Sequence, residues 1–375
     1  MTSCKTYHKY SDIPRGEWSE LLQEDDMFLS EDFLKIIERS HQDEISPLYT
    51  VVKDENGVLG IIYSQVFDFK NSKLKNYIDT SKFNITAILK SQIGRLLGVK
   101  VSFLGNLFLS NELAFKFKGE VLTQSKFNGI LKHIQESSGT KFLLIPESYE
   151  VFINKNSSKI KQINVEPDMH LKVSKDWNTF DDYLDCLRSK YKKRHRKIYV
   201  NSKGITKKEI DSSELKSKAI HLKELYGQVY DKSNFNSAKF NTDVFQGLTS
   251  LNKNIRIYGY YCNDELIGFS SVIKNNETLY AHFVGIDYEI NHKYDLYGKM
   301  LFDHIKYAID HKLQLIKFGR TACEFKSNFG AEPRLSSGYV YDKTGWYIQL
   351  LGPFLKLLKP KAWIQRKPFK LNEDR

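Results

Sequence analysis

Four polar side chains of different chemistry lie within the short stretch from Gly319 to Gly330. Arg320 is a cation, Glu324 a carboxylate able to take a proton, Lys326 a second cation and Asn328 an amide. They follow an apolar run at 313–318 that reads as a core strand, and the loop leaving such a strand is a common place for reactive groups. Together they suit proton transfer and the stabilisation of developing negative charge. A plain Glu324–Lys326 ion pair on a surface loop is the other reading of the same residues.

A second concentration of charge lies at 190–197, where Lys190, Lys192, Lys193, Arg194, Arg196 and Lys197 crowd together. Thr179 and Asp182 have the spacing of a capping box, so a helix is expected from there. Leu184, Leu187, Tyr191 and Ile198 would form its buried stripe, and Gly204 would stop it. Like charges this close repel one another, and an anion would relieve them. The helix reads either as a contact for phosphate, tRNA or a lipid head group, or as a solvated basic face. Arg194 and Tyr191, nearest the stripe, are the candidates for touching substrate.

Other chemistries find little support. His292 and His304 lack zinc-motif spacing, so no metal is expected. Cys323 has no evident His or Asn partner, and His282 reads as a structural histidine in a strand. No GxxxxGK[ST] loop occurs.

The elements that must carry these residues come from hydrophobic patterning. A chain of 375 residues suggests two domains, and 41% apolar residues can fill two cores. A net charge of +12 favours anionic partners, with lipid or tRNA among them; double-stranded DNA is not expected. Four scattered cysteines make no disulfide framework, and with no signal core or membrane-length apolar run the expected location is the cytoplasm. Ser30 caps an expected helix, and strands at 48–53 and 58–67 flank an Asp-Glu-Asn-Gly turn. Residues 70–100 read as irregular, followed by an apolar stretch at 101–108, a helix at 127–135 and a strand at 141–145. The second half repeats this grammar: strands at 255–261 and 266–273 about an Asn-Asp-Glu turn, a third at 278–286, a helix at 297–310 and a strand at 313–318. Gly60 and Gly268 are 208 residues apart; His133 and His304, and Lys141 and Lys312, are 171 apart. A 37-residue insertion after residue 70 of the first half would reconcile the two offsets. The boundaries expected are 1–165, 166–345 and a basic amphipathic tail at 346–375. That tail suits a docked helix, which Pro353 and Pro360 favour, or peripheral contact with an anionic membrane.

Residues 170–341 resemble the FemAB-like branch of the GNAT (Gcn5-related N-acetyltransferase) superfamily. Three passages carry the resemblance: 177–198, the hairpin at 266–269, and 294–300 followed by 318–331. The first half resembles the family's degenerate companion domain. The resemblance implies an α+β (mixed α/β) fold of two tandem GNAT-like domains, each a twisted, mostly antiparallel sheet flanked by helices. It implies transfer of an acyl or aminoacyl group to an amine, with acyl-CoA or aminoacyl-tRNA as donor and an envelope precursor or lipid as acceptor. Glu324 would then take the amine proton and Lys326 face the oxyanion, while Arg320 and Asn328 contact substrate. Val284, Gly285, Gly298 and Lys299 would contact the donor. One departure stands out: the family's Arg/Gln-x-x-Gly-x-Gly/Ala loop, whose backbone holds pyrophosphate, here reads Asp295-Leu-Tyr-Gly298-Lys-Met300. An aspartate there repels phosphate unless it caps the helix. A non-catalytic protein of decayed GNAT halves is the alternative from another class.

Overall fold

The computed structural model describes residues 2–69, 100–119, 122–233, 238–355 and 360–370. The irregular stretch and the insertion expected after residue 70 lie almost wholly outside the described residues.

The chain forms two compact units. The first comprises Met1–Glu166, Asn234–Phe240 and Leu335–Lys361; the second comprises Pro167–Ser233, Asn241–Arg334 and Ala362–Arg375. In chain order the first unit opens with β1 (Ser3–Tyr7), α1 (Glu31–Ser40), β2 (Ile45–Asp54), β3 (Gly57–Asp68), β4 (Lys100–Phe103) and β5 (Phe115–Phe117). It continues with α2 (Gln124–Ser138), β6 (Leu143–Pro146) and β7 (Ile160–Asn164). The second unit opens with β8 (Asp168–Lys172), α3 (Phe180–Asp185), α4 (Ser189–Asn201), β9 (Ile205–Glu209), α5 (Ser212–Lys232) and α6 (Val244–Leu251). Then come β10 (Ile255–Cys262), β11 (Glu265–Asn275), β12 (Thr278–Ile286), α7 (Tyr288–Tyr294), α8 (Leu296–Asp310), β13 (Leu315–Lys317), α9 (Cys323–Ser327) and β14 (Glu332–Arg334). The chain returns to the first unit with β15 (Ser337–Tyr341) and α10 (Trp346–Leu355).

One sheet runs β1-β2-β3-β4-β6-β15-β7, with β5 also on β3; the other runs β14-β8-β13-β12-β11-β10-β9. The expected echo between the halves is present in topology. β3 is antiparallel to β4, which is parallel to β6; β11 is antiparallel to β12, which is parallel to β13. The registers agree as well. Val52 pairs with Gly60 and Tyr260 with Gly268, and each pair is followed at once by a register shift.

Boundaries differ from a pair of clean cuts. β15 lies between β6 and β7, antiparallel to both, so the first sheet takes in a strand from beyond residue 335. The residues expected as one tail divide too: α10 belongs to the first unit and the residues from Ala362 onward to the second.

Local signals act as their chemistry predicts. The Ser30 side chain accepts from the Phe33 amide, and Thr179 and Asp182 complete a capping box. The helix begun there does not continue through the basic run, however. It ends at Asp185, and α4 starts at Ser189. In between, the Arg188 amide donates to Pro368 O (2.9 Å), the Lys370 amide donates to Cys186 O (2.9 Å), and Leu187 bridges to Phe369. These long-range bonds take backbone groups that a continuous helix would have used internally. The buried face of α4 is therefore His195 and Ile198, with Tyr191 half-buried.

Two histidines lie deep in the second unit. Burial holds His195 down to about 4 and His304 down to about 3; Lys207 and Lys326 add to the effect on His304. Unfolded, both titrate near 6.5, so between these values the unfolded chain binds more protons. Their contribution is therefore complete above about pH 6.5 and declines as pH falls. Moving from pH 7 to pH 5 should cost roughly 2 kcal/mol per histidine. Urea denaturation at the two pH values checks this, and unchanged midpoints would contradict it.

Candidate functional site

β12 is nine residues long, but β13 pairs only with its first three, Thr278 to Tyr280. Beyond Tyr280 the two parallel strands part, and the rest of β12 presents an edge that β13 does not cover. A bulge marks this edge. Ser270 pairs with Val284 and Val272 with Ala281, so His282 and Phe283 together oppose Ser271. The buried Ser271 hydroxyl accepts from the Phe283 amide (2.8 Å) and lies 3.2 Å from both His282 Nδ1 and the Phe283 carbonyl. His282 itself is half-buried.

The loop leaving β13 is conformationally unusual. Gly319, Thr321 and Ala322 all have positive φ, at 72°, 66° and 49°. Lys326, 3% exposed, reaches into this turn and donates to Gly319 O (3.1 Å) and Arg320 O (2.7 Å). Close by, the fully buried carboxylate of Asp168 stands 3.3 Å from His170 Nε2. Burial pushes Asp168 up, but contact with His170 and the charges of Arg320 and Lys326 outweigh it and leave the group below the usual carboxylate range. Buried charges in proteins are normally paired, and here His170 stands beside the carboxylate while Arg320 and Lys326 act on it electrostatically from further away.

Glu324 is engaged elsewhere. Arg366 holds its Oε1 through Nε (3.1 Å) and Nη2, and the Ile364 amide approaches Oε2 at 3.4 Å. Arg366 is the main reason this carboxyl sits below its ordinary value. Arg194 Nη1 donates to Asn328 Oδ1 (3.0 Å), and Asn328 Nδ2 donates to the carbonyls of Glu324 (2.8 Å) and Phe325 (3.1 Å). Arg194, Glu324 and Asn328 thus lie on one connected patch around α9, while Lys326 turns instead into the Gly319–Ala322 turn. Their contacts tie α4, α9 and the C-terminal segment together. That segment is anchored further by Phe369, whose ring occupies the space a side chain at Gly330 would need: a Cβ there would fall 2.2 Å from it. Gly330 also has φ of +90°, which favours glycine on its own account.

The expected donor contacts form a separate group. Gly285 lies under Phe269, and Val284 is half-buried against the core. At the start of α8, Ile198 of α4 packs on Gly298; a Cβ added to that glycine would be 2.9 Å from Ile198 Cδ1. Asn291 Oδ1 accepts from the Tyr297 amide (2.9 Å). Asp295, at φ 50°, makes no cap with its side chain and instead accepts from Asn201 Nδ2 (2.7 Å). Lys299 Nζ is bound by Asp303 (2.8 and 2.9 Å). A pyrophosphate at this helix start would meet a carboxylate, an isoleucine and an amide already taken, so these residues do not fit that group. No group of metal ligands occurs among the described residues.

Sequence reasoning missed Asp168, His170, Asn201, Asn291 and Arg366. Asp168 and His170 left a trace, being polar residues two apart on the face of β8 opposite Met169 and Leu171. Arg366 left none, because it lies 42 residues from Glu324.

In the second unit the central parallel pair splays after three residues, with α7 and α8 between its strands, and in the first unit α2 likewise lies between the parallel pair β4 and β6. Residues 188–327 match the family model described as an acetyltransferase (GNAT) domain. Among solved structures, a tandem GNAT protein from the clavulanic acid biosynthesis pathway matches with TM-score 0.52 at 10% identity, over 92% of this chain and 99% of that one. FemX matches with TM-score 0.49 at 10% identity, over 86% and 93%. The C-terminal domain of a putative lysylphosphatidylglycerol synthetase from Agrobacterium fabrum matches with TM-score 0.48 at 7% identity, over 90% and 93%. The first of these is similar in fold over 92% of the chain, and identities this low speak to fold alone. No curated protein matches the chain in sequence.

Proposed function

We propose that the second unit transfers an acyl or aminoacyl group to an amine along the edge of β12 beyond Tyr280. The observation that carries this reading is that open edge, with His282 at its bulge, inside a matched GNAT domain. The amine nitrogen attacks the carbonyl carbon, and the carbon–donor bond breaks as the amide forms. The amine proton passes to a base, and backbone groups of β12 hold the carbonyl. His282 is a better candidate base than Glu324, which Arg366 keeps as a paired anion. Lys326 acts in this scheme by shaping the Gly319–Ala322 turn. An amine of an envelope precursor or lipid is the acceptor we propose, on the strength of the Fem-like resemblance.

The donor follows from the start of α8. With Gly298 covered and Asp295 in place, a donor anchored by its pyrophosphate there is disfavoured. Aminoacyl-tRNA gains support from α4, whose Lys190, Lys193, Arg196 and Lys197 are exposed beside Tyr199. Four such phosphate contacts would give a log–log salt slope of about −3 to −4. A thermal-shift panel of acetyl-CoA, long-chain acyl-CoA, free CoA and aminoacyl-tRNA at two salt concentrations tests the reading. A salt-sensitive rise with tRNA alone is the expected result. A shift of several degrees with CoA species would overturn the donor assignment, and silence with every donor would count against an enzyme.

A further inference from the structure

The first unit contains a cavity of about 300 Å³ between α2 and the strands β1, β2, β3 and β5. Val52, Leu59, Phe117, Leu122 and Ile130 give it apolar walls, with Thr2, Cys4, Gly129, His133 and Lys126 completing the lining. The internal repeat explains why the space is open. Val52 and Tyr260 hold matching places, each paired with the matching glycine and followed by the same register shift. Along the helices the 171-residue offset aligns buried with buried: Ile130 with Leu301, Leu131 with Phe302, Ile134 with Ile305. The same offset aligns Gly129 with Met300. In the second unit Tyr260 and Met300 are fully buried, and the Met300 methyl lies over Gly268. In the first unit a valine and a glycine replace them, and a Cβ added to Gly129 would meet nothing within 4 Å. Phe117 covers Gly60 from β5 but leaves the space beside it open.

Apart from Lys126 the walls carry no formal charge at neutral pH. Burial pushes the Cys4 thiol up, and His133 Nε2 is engaged with Thr6 Oγ1 at 3.1 Å. Lys126, exposed in the first turn of α2, has no ion-pair partner among the described residues. At the ~30 Å³ a water molecule occupies in the liquid, the cavity holds about ten non-hydrogen atoms. We infer that the first unit binds a short acyl chain of about eight carbons, its carboxylate on Lys126 and its tail in the space that Tyr260 and Met300 fill in the second unit.

The test is calorimetric titration of the full chain with sodium octanoate. Wild type should bind one equivalent. Gly129→Met, which restores the second unit's residue, should weaken binding by at least about tenfold while remaining folded by circular dichroism. Gly129→Ala gives the helix the same relief from glycine without filling the space, and it should bind within about threefold of wild type. Lys126→Gln should weaken octanoate but leave 1-octanol unchanged. Absence of binding to wild type, or equal binding to wild type and Gly129→Met, would overturn the site. Equal binding of octanoate to wild type and Lys126→Gln would overturn the anionic head group.

Discussion

His282→Asn should lower kcat/KM for acyl transfer by roughly 10²–10⁴-fold, the usual contribution of a positioned general base. Asparagine keeps a polar group near Ser271 but cannot take up a proton at neutral pH. The loss should fall mainly on kcat, since the substitution removes proton transfer and leaves the edge of β12 intact. Glu324→Gln provides the contrast. Its carboxylate is engaged by Arg366 and the Ile364 amide, so amidation should weaken the hold on the C-terminal segment and change turnover by less than about tenfold. Steady-state kinetics of both variants, with circular dichroism to confirm folding, decides between them. Full activity in His282→Asn together with a collapse of kcat in Glu324→Gln would reverse the assignment.

Lys326→Met should cost the second unit about 1–3 kcal/mol. Its side chain is almost wholly buried, and its ammonium satisfies two carbonyls of a turn that contains Gly319, Thr321 and Ala322 at positive φ. It is also one of the charges that keep the buried Asp168 anionic. Methionine matches the shape but leaves both carbonyls without that donor and Asp168 with less compensation. Asp168's folded pKa is depressed, so its favourable contribution is present above its unfolded value and is lost as pH falls through the folded value. The variant raises that folded pKa, so its deficit relative to wild type should be full at neutral pH and shrink on acidification. Denaturant melts across pH 4–7 measure both effects. A loss below about 1 kcal/mol at pH 7 would show that Lys326 contributes little to the turn.

Much of the architecture was legible because it is encoded locally. Turn residues bounded both hairpins; Asn263 and Asp264 both adopt positive φ. Ser30 and Thr179 marked helix starts, since a cap is a bond between side chain and backbone three positions away. The repeat showed in a pair of glycines and a few helix residues because equivalent positions face equivalent packing. The grouping of Glu324, Lys326 and Asn328 was legible for the same reason: they share one short segment.

What the residues do to one another was another matter. That Glu324 meets Arg366, that Phe369 occupies the space above Gly330, and that Ile198 covers Gly298 all depend on segments far apart in the chain. So does the insertion of β15 into the first sheet, a ladder formed with strands more than 170 residues earlier. The sequence by itself determined two units with a shared strand and helix order, their hairpins and caps, and a charged segment after a core strand, because propensity, capping and periodicity act over a few residues. Only the tertiary structure decided which charges are engaged, which helix start is closed and where a cavity remains, because those follow from the packing of surfaces that local patterns do not bring together.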